Sequence, residues 1–205
     1  TEINGCGPVI HEGDVQKLIA KLELLQAGDV LVLAGSIPGS VPDDIYRRIM
    51  SEMSGREIEV VVDATKELLV NVLEYHPFLI KPNHHELGEI FDVELKTRED
   101  VIPYARRMQQ MGARNVLVSM AADGAVLVAE DKSVYETDAP KGILVNGVGA
   151  GDSMVAGFLA GWMEKKEYRH AFAMGVSAGS ASAFSERLAE KKEIMDLYRR
   201  EFTRS

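Results

Sequence analysis

The chain of 205 residues has a single cysteine, Cys6. That excludes an intrachain disulfide framework and any zinc site built on cysteines, and it fits a reducing, cytoplasmic setting. Long apolar runs are missing too. The longest uncharged stretch near a helix, Ser153 to Met163, is too short and too rich in Gly and Ala to span a bilayer. No basic region followed by an apolar core opens the N-terminus, so no targeting segment is read there. Positive charge is scarce: 23 Lys and Arg stand against 32 Asp and Glu, for a net charge of −9. A binder of nucleic acid or of an anionic membrane working through bulk electrostatics is therefore excluded, whereas a small local pocket for an anion is not. Internal repeats and low-complexity tracts are absent as well.

What is present is ordinary for a globular domain: 46% hydrophobic and 27% charged residues, in a chain long enough to bury a substantial core. Short β-branched runs alternate with helical patterns. Asp29–Gly35 is expected as a buried strand, followed by a helix opening at Val41-Pro-Asp-Asp44 and running to about Met53, its Pro and acids suited to a first turn. Ile58–Asp63, Phe78–Lys81 and Asn115–Ser119 are further strands. Ala125–Ala129 and Ser133–Thr137 form a hairpin about Glu130–Lys132. Helices are expected over Thr65–Glu74, Asn83–Phe91, Arg98–Met111, Asp152–Glu164, Arg169–Ala183 and Lys191–Phe202. Near-continuous apolar strands separated by helices predict an α/β fold with a mostly parallel central sheet covered on both faces. The methionines at 108, 111, 154, 163 and 174 are expected to fill core.

Ligands of such folds sit beyond the carboxyl ends of strands. That directs attention to four loops: Gly35–Gly39, Lys81–Asn83, Ser119–Gly124 and Asn146–Asp152. The last, Asn146-Gly-Val-Gly-Ala-Gly-Asp152, runs straight into a helix. Gly149 and Gly151 free the backbone to turn N–H groups toward one point, and the helix N-terminus adds its own unpaired N–H groups and positive dipole end. The product is an anion hole with the Asp152 carboxylate at its edge, placed to take a proton from a hydroxyl. It is neither the dinucleotide-binding fingerprint nor a P-loop, since no Lys-Ser/Thr closes it. Taken alone, such a loop is more simply a tight turn with an acid favouring the helix start.

Lys81-Pro-Asn-His-His-Glu86 places Asn83 and Glu86 three apart, on one helix face. Both offer oxygen, and Mg²⁺ takes few protein oxygens while keeping its waters. The same spacing is also that of a capping box. His84 and His85 are expected to be exposed, on different faces, and without a zinc ligand set. Ser119-Met120-Ala121-Ala122-Asp123-Gly124 could wall an adenosine phosphate or be a plain turn with Gly124 at positive φ. Gly175–Ser182 is rich in small residues, the mark of close helix packing, which also leaves room for a flat base.

In this order the pieces resemble the ribokinase-like phosphofructokinase B family of sugar kinases, over essentially the whole chain. The residues that carry the resemblance are Thr1-Glu-Ile-Asn4 with Gly7-Pro8, Gly35-Ser-Ile-Pro38, Lys81-Pro-Asn83 with Glu86, Ser119 with Gly124, Gly149-Ala-Gly-Asp152 and Ala178-Gly-Ser-Ala181. The opening Thr1–Asn4 and the closing Ser182–Glu186 are most similar to members acting on fructose 1-phosphate, with tagatose-6-phosphate kinases next. The resemblance implies a three-layer α/β/α ribokinase-like sandwich. It implies ATP and Mg²⁺ as cofactors, a sugar phosphate as partner, and transfer from ATP to fructose 1-phosphate to give fructose 1,6-bisphosphate. Asp152 would be the base, and the N–H groups of Gly149, Ala150 and Gly151 would stabilise the moving phosphoryl group. Asn83 and Glu86 would orient Mg²⁺. Lys81, Asn83, Gly151 and Asp152 would face the nucleotide phosphates, and Ser119 to Gly124 with Ser180 would line the nucleotide pocket. Ser36 and Asp152 would meet the sugar phosphate.

Three departures stand out. Asn146 and Gly147 replace the family's Asp and Ser/Thr, which bears on any monovalent-cation site nearby. Ser119-Met-Ala121 replaces Ser-x-Gly, and Cys6 stands where proline is frequent. The chain opens on Thr1 and lacks the family's first strands and lid, so residues 1–205 read as the catalytic and nucleotide-binding portion of a longer polypeptide, a C-terminal fragment. The lid is often the family's homodimer interface. The competing reading is a nucleotide-binding module without catalysis.

Overall fold

A computed structural model describes residues 8–203, and the expectations for Thr1–Asn4, Cys6 and Gly7 lie outside the described residues. The described residues form two compact units: those up to 80 with 107–115, and 81–106 with those from 116 on.

In the first unit, helix α1 (Glu12–Leu22) leads to strand β1 (Val30–Ala34), helix α2 (Ile45–Met53), strand β2 (Glu59–Asp63), the short helix α3 (Lys66–Val70) and strand β3 (Leu79–Ile80). The three strands pair in chain order and in parallel, with Val30 opposite Glu59, Val61 opposite Leu79 and Val62 opposite Ile80. β2, flanked on both sides, is fully buried at Val61 and Val62. β1 corrects the expectation of a buried strand: among the described residues it has one strand partner, and Val32 is 43% exposed. An apolar run reads as buried whether or not the sheet continues past it.

Three helices also differ from expectation. α2 starts at Ile45 rather than Val41, because Pro42 stands in a preceding turn whose carbonyl accepts the Ile45 N–H. The expected Thr65–Glu74 helix breaks at Asn71 and resumes as a 3-10 turn over Leu73–Tyr75. α1 was not expected at all. It buries only Val15 and Leu22, too few to give a legible apolar stripe, and its end is held by the Arg56 guanidinium, which donates to the carbonyls of Leu22, Glu23 and Leu25. The Tyr46 hydroxyl donates to the Ala34 and Gly35 carbonyls, and burial, with the Asp63 charge second, pushes its pKa up.

The second unit holds helix α4 (His84–Phe91), helix α5 (Arg98–Met111) up to Arg106, strand β4 (Asn115–Ser119) from Val116 on, strands β5 (Ala125–Val128) and β6 (Val134–Thr137), and helices α6 (Ala150–Lys165), α7 (Tyr168–Ala183) and α8 (Lys191–Phe202). A parallel bridge joins Asn83 to Ser119, while β4, β5 and β6 are antiparallel in that order. The β4–β5 turn needs Gly124: its φ is +94°, and a Cβ there would stand 1.9 Å from the Thr137 carbonyl oxygen. The small-residue stripe does what it predicts. A Cβ on Gly157 would meet the Ala178 Cβ at 2.5 Å, and one on Gly175 the Met154 carbonyl oxygen at 2.9 Å, so α6 and α7 touch nearly backbone to backbone. Phe158 is fully buried on α6, a contribution of about 2–3 kcal/mol.

Met108, Met154 and Met174 are core, but Met111 (40% exposed) and Met163 (64%) are not. Met111 ends α5 and Met163 lies near the end of α6. The expectation for the histidines holds for His85, which is exposed, and fails for His84, which is half-buried, and the two ring centres lie 3.8 Å apart. In the first turn of a helix no preceding turn keeps neighbouring rings apart.

The start of α5 gives a pH test. The Asp100 carboxylate accepts from the Thr97 and Lys96 N–H groups. The first of these, then the second, holds its pKa below the usual carboxylate value. A folded value below the unfolded one means that the contribution is complete above the ordinary carboxylate pKa and is lost as pH falls through the folded value. Melting curves of the parent chain and Asp100→Asn are expected to differ most near neutrality and to converge in acid.

Candidate functional site

Lys81 follows β3 and leads through Pro82 to Asn83. The Pro82 carbonyl accepts the Ser119 N–H at 3.2 Å, and Asn83 pairs with Ser119, so the stretch 81–83 runs beside the end of β4. The Lys81 side chain is only 6% exposed. Lysines are rarely so buried, and this one lies against the Gly-rich turn: a Cβ on Gly151 would stand 3.2 Å from its Nζ. Sequence reasoning named Lys81 but gave no sign of its burial.

The turn has the geometry an anion site needs. Asn146 Oδ1 accepts the Val148 N–H at 3.0 Å. Gly149 then takes φ +78° as the N-cap of α6, a left-handed conformation that L side chains rarely adopt. The Ala150 N–H donates to the Gly147 carbonyl at 3.3 Å, and the Ser153 N–H to the Gly149 carbonyl at 2.9 Å. Among the described residues, no hydrogen bond engages the N–H groups of Gly149, Gly151 or Asp152. Of the expected donors, Ala150 is thus bonded within the turn, whereas the Asp152 amide is left open. The open donors and the N-terminal end of the helix dipole lie beside the Lys81 side chain. The Asp152 side chain is exposed, with no hydrogen bond or ion pair to its carboxylate among the described residues.

Asn83 and Glu86 do form the capping box. The Asn83 N–H donates to Glu86 Oε2 at 2.8 Å, and the Glu86 N–H to Asn83 Oδ1 at 2.9 Å. That use leaves Glu86 Oε1 available. Among the described residues no group of three or more His, Cys, Asp and Glu could hold a metal ion. The residues therefore do not fit a cage of protein ligands. They do fit a Mg²⁺ that keeps most of its waters and takes phosphate oxygens.

The other expected residues fall as follows. Met120 is fully buried and offers its side chain to core, not to a ligand. Ala121, Ala122 and Asp123 form an exposed 3-10 turn ending at Gly124. Ser180 is half-buried on α7, next to Gly179, whose Cα side lies against the Ala150 carbonyl. Ser36 is exposed in the turn after β1, in the first unit. Sequence reasoning missed Ser153, Ser182 and Leu188, which sit around the turn. Their contacts join positions up to 39 apart, as with Leu188 and Gly149, and no local pattern marks them.

The profile of the family described as pfkB family carbohydrate kinase matches residues 1–194. The 1-phosphofructokinase of Bacillus subtilis is 47% identical over 197 residues, 96% of this chain and 65% of that protein. The D-tagatose-1-phosphate kinase of Bacillus licheniformis is 34% identical over 193 residues, 92% of this chain and 62% of the relative. The chain thus spans just under two thirds of the length of the curated relatives it matches. Among solved structures, phosphofructokinase-2 from Escherichia coli in complex with fructose-6-phosphate superposes with a TM-score of 0.89 at 27% identity, over 98% of this chain and 65% of that one. Ribokinase from Arabidopsis thaliana does so at 0.71 and 17%, over 93% and 60%. The fold is the ribokinase-like one. The tagatose relative is named for the 1-phosphate, where sequence reasoning expected the 6-phosphate.

Proposed function

From a chain that belongs to the pfkB family of carbohydrate kinases, we propose the phosphoryl-transfer half of an ATP-dependent kinase that converts fructose 1-phosphate to fructose 1,6-bisphosphate. The observation that carries this reading is the trio of unpaired N–H groups at Gly149, Gly151 and Asp152, with the buried Lys81 ammonium against them.

The sugar's free primary hydroxyl attacks the γ-phosphorus as the bond to the ADP oxygen breaks, and its proton passes to the Asp152 carboxylate. An acid at a helix N-terminus stays ionised readily and is a weak base. Phosphoryl transfer tolerates this, because its loose transition state releases the hydroxyl proton late and leaves positioning and charge stabilisation to dominate. The three amides hold the equatorial oxygens, and Lys81 neutralises charge on the nucleotide phosphates. Glu86 and Asn83 would hold Mg²⁺ through its waters, and the ion's chemistry is to screen phosphate charge. The turn at 119–124 and Ser180 border the nucleotide. The capping box is compatible with this, since a fixed Glu86 is a better water acceptor than a mobile one. Homodimerisation through a lid and a cytoplasmic location belong to the same proposal.

A second reading, tagatose 1-phosphate as acceptor, is favoured by the named Bacillus licheniformis relative. It differs only in sugar stereochemistry. The test is a coupled ADP-release assay on the polypeptide completed to its relatives' length, with both ketose 1-phosphates. Faster turnover per KM with fructose 1-phosphate is expected. Preference for the tagatose ester selects the second reading. ADP binding without transfer to either sugar refutes both and leaves a nucleotide-binding module.

A further inference from the structure

We infer that Ser182 is a positioning residue for the Gly-rich turn, acting through Ser153, with residues 183–189 as the brace. The inference rests on the kinase reading above for its functional consequence. Ser182 lies in the last turn of α7 and is 2% exposed. Its hydroxyl donates to Ser153 Oγ at 2.8 Å and accepts the Ala189 N–H at 3.1 Å. Both capacities are thus used inside the protein. Ser153 directly follows Asp152, and its N–H closes the first turn of α6 on the Gly149 carbonyl.

The segment that follows Ser182 grips the turn on its approach and at its corner. The Ala183 carbonyl accepts the N–H groups of Val145 (2.9 Å) and Asn146 (3.1 Å). The Glu186 carbonyl accepts from Asn146 Nδ2 at 3.4 Å. Leu188 covers Gly149, its Cδ2 standing 2.6 Å from where a Cβ would be. The stretch 145–153 is therefore tied to 182–189 before the glycines, at them and just after them. The physical need is clear. Gly147, Gly149 and Gly151 give the turn its shape but leave it with the largest conformational entropy of any residue type. Amides that must be arranged before charge arrives have to be fixed by neighbours. The Ser182–Ser153 contact fixes the end of the turn that carries the carboxylate.

The test uses the 205-residue chain, with ADP and Mg²⁺ followed by calorimetry and amide hydrogen exchange followed without ligand. Ser182→Ala is expected to weaken ADP binding about tenfold, the equivalent of one lost hydrogen bond, and to speed exchange at residues 149–153. Ser153→Ala, at a half-buried site, is expected to do the same, and the double variant to be no worse than either alone. Ser177→Ala is the control. Its hydroxyl is equally buried on the same helix but bonds the Ala173 carbonyl, so it lowers the melting temperature without changing ADP affinity. If Ser182→Ala fails to fold, Ser153→Ala decides. Unchanged affinity and exchange in the folded variant, additive effects in the double variant, or an equal loss in Ser177→Ala would each overturn the assignment. If the parent chain binds no ADP, the nucleotide-binding part of the kinase reading fails for this chain. Exchange at 149–153 then decides the positioning role by itself, an unchanged rate in Ser182→Ala sinking it.

Discussion

Asp152→Asn is expected to lower turnover with fructose 1-phosphate by about 10³-fold, within the range that positioned proton acceptors contribute, while ADP binds at least as tightly as to the parent. The two halves of this result follow from one geometry. The carboxylate belongs to the residue whose own N–H completes the amide trio, and it is exposed and without a partner among the described residues. Asparagine keeps its shape and loses both its basicity and its charge. The lost basicity stops proton removal from the acceptor hydroxyl. The lost charge removes a repulsion from the nucleotide phosphates. Steady-state kinetics with calorimetry on the same preparations checks both. A variant that turns over within a few-fold of the parent assigns the proton to another group.

Lys81→Met is expected to act in the opposite way, on nucleotide affinity, weakening ADP binding by about 10- to 100-fold, or roughly 1.4–2.8 kcal/mol. The reason is burial. A surface lysine near a phosphate is screened and contributes little. Lys81 is 6% exposed, and a charge taken out of water interacts several times more strongly. Methionine fills similar volume without a charge, so the packing against Gly151 is kept. Lys81→Arg is not a rescue, because the longer, planar head must fit beside Gly151, where a Cβ would already stand 3.2 Å from the Lys81 Nζ. An unchanged affinity in a folded Lys81→Met chain would place the phosphates elsewhere.

The parts legible in the sequence are those fixed by local chemistry. The apolar run 115–119 is a strand because every position but the last is buried. α5 and α8 begin and end where their residues predict. The Gly149-Ala-Gly-Asp152 corner is where the spacing of glycines puts it. The illegible parts depend on neighbours distant in the chain. Val32 reads as core yet is exposed, because strand pairing on its outer side is not encoded in the strand itself. Lys81 is singled out by its loop, but nothing in that loop signals its burial, since the turn that lies beside it is distant in the chain. Ala150 reads as a free donor, but the turn's own carbonyl at Gly147 takes its N–H. Asn83 and Glu86 admitted two readings, and the capping box is present without excluding the other. Ser182 was hidden for the same reason as Lys81: a serine at a helix end gives no sign that its partner is 29 residues away.

The central claim is that unpaired amides at residues 149, 151 and 152 receive the nucleotide phosphates. A titration of the ¹⁵N-labelled chain with Mg²⁺ and ADP, followed by amide NMR, tests it most directly. The largest downfield proton shifts are expected at Gly149, Gly151 and Asp152, with Ala150, already bonded to Gly147, moving less. Saturation by ADP with those three signals unmoved would contradict the claim.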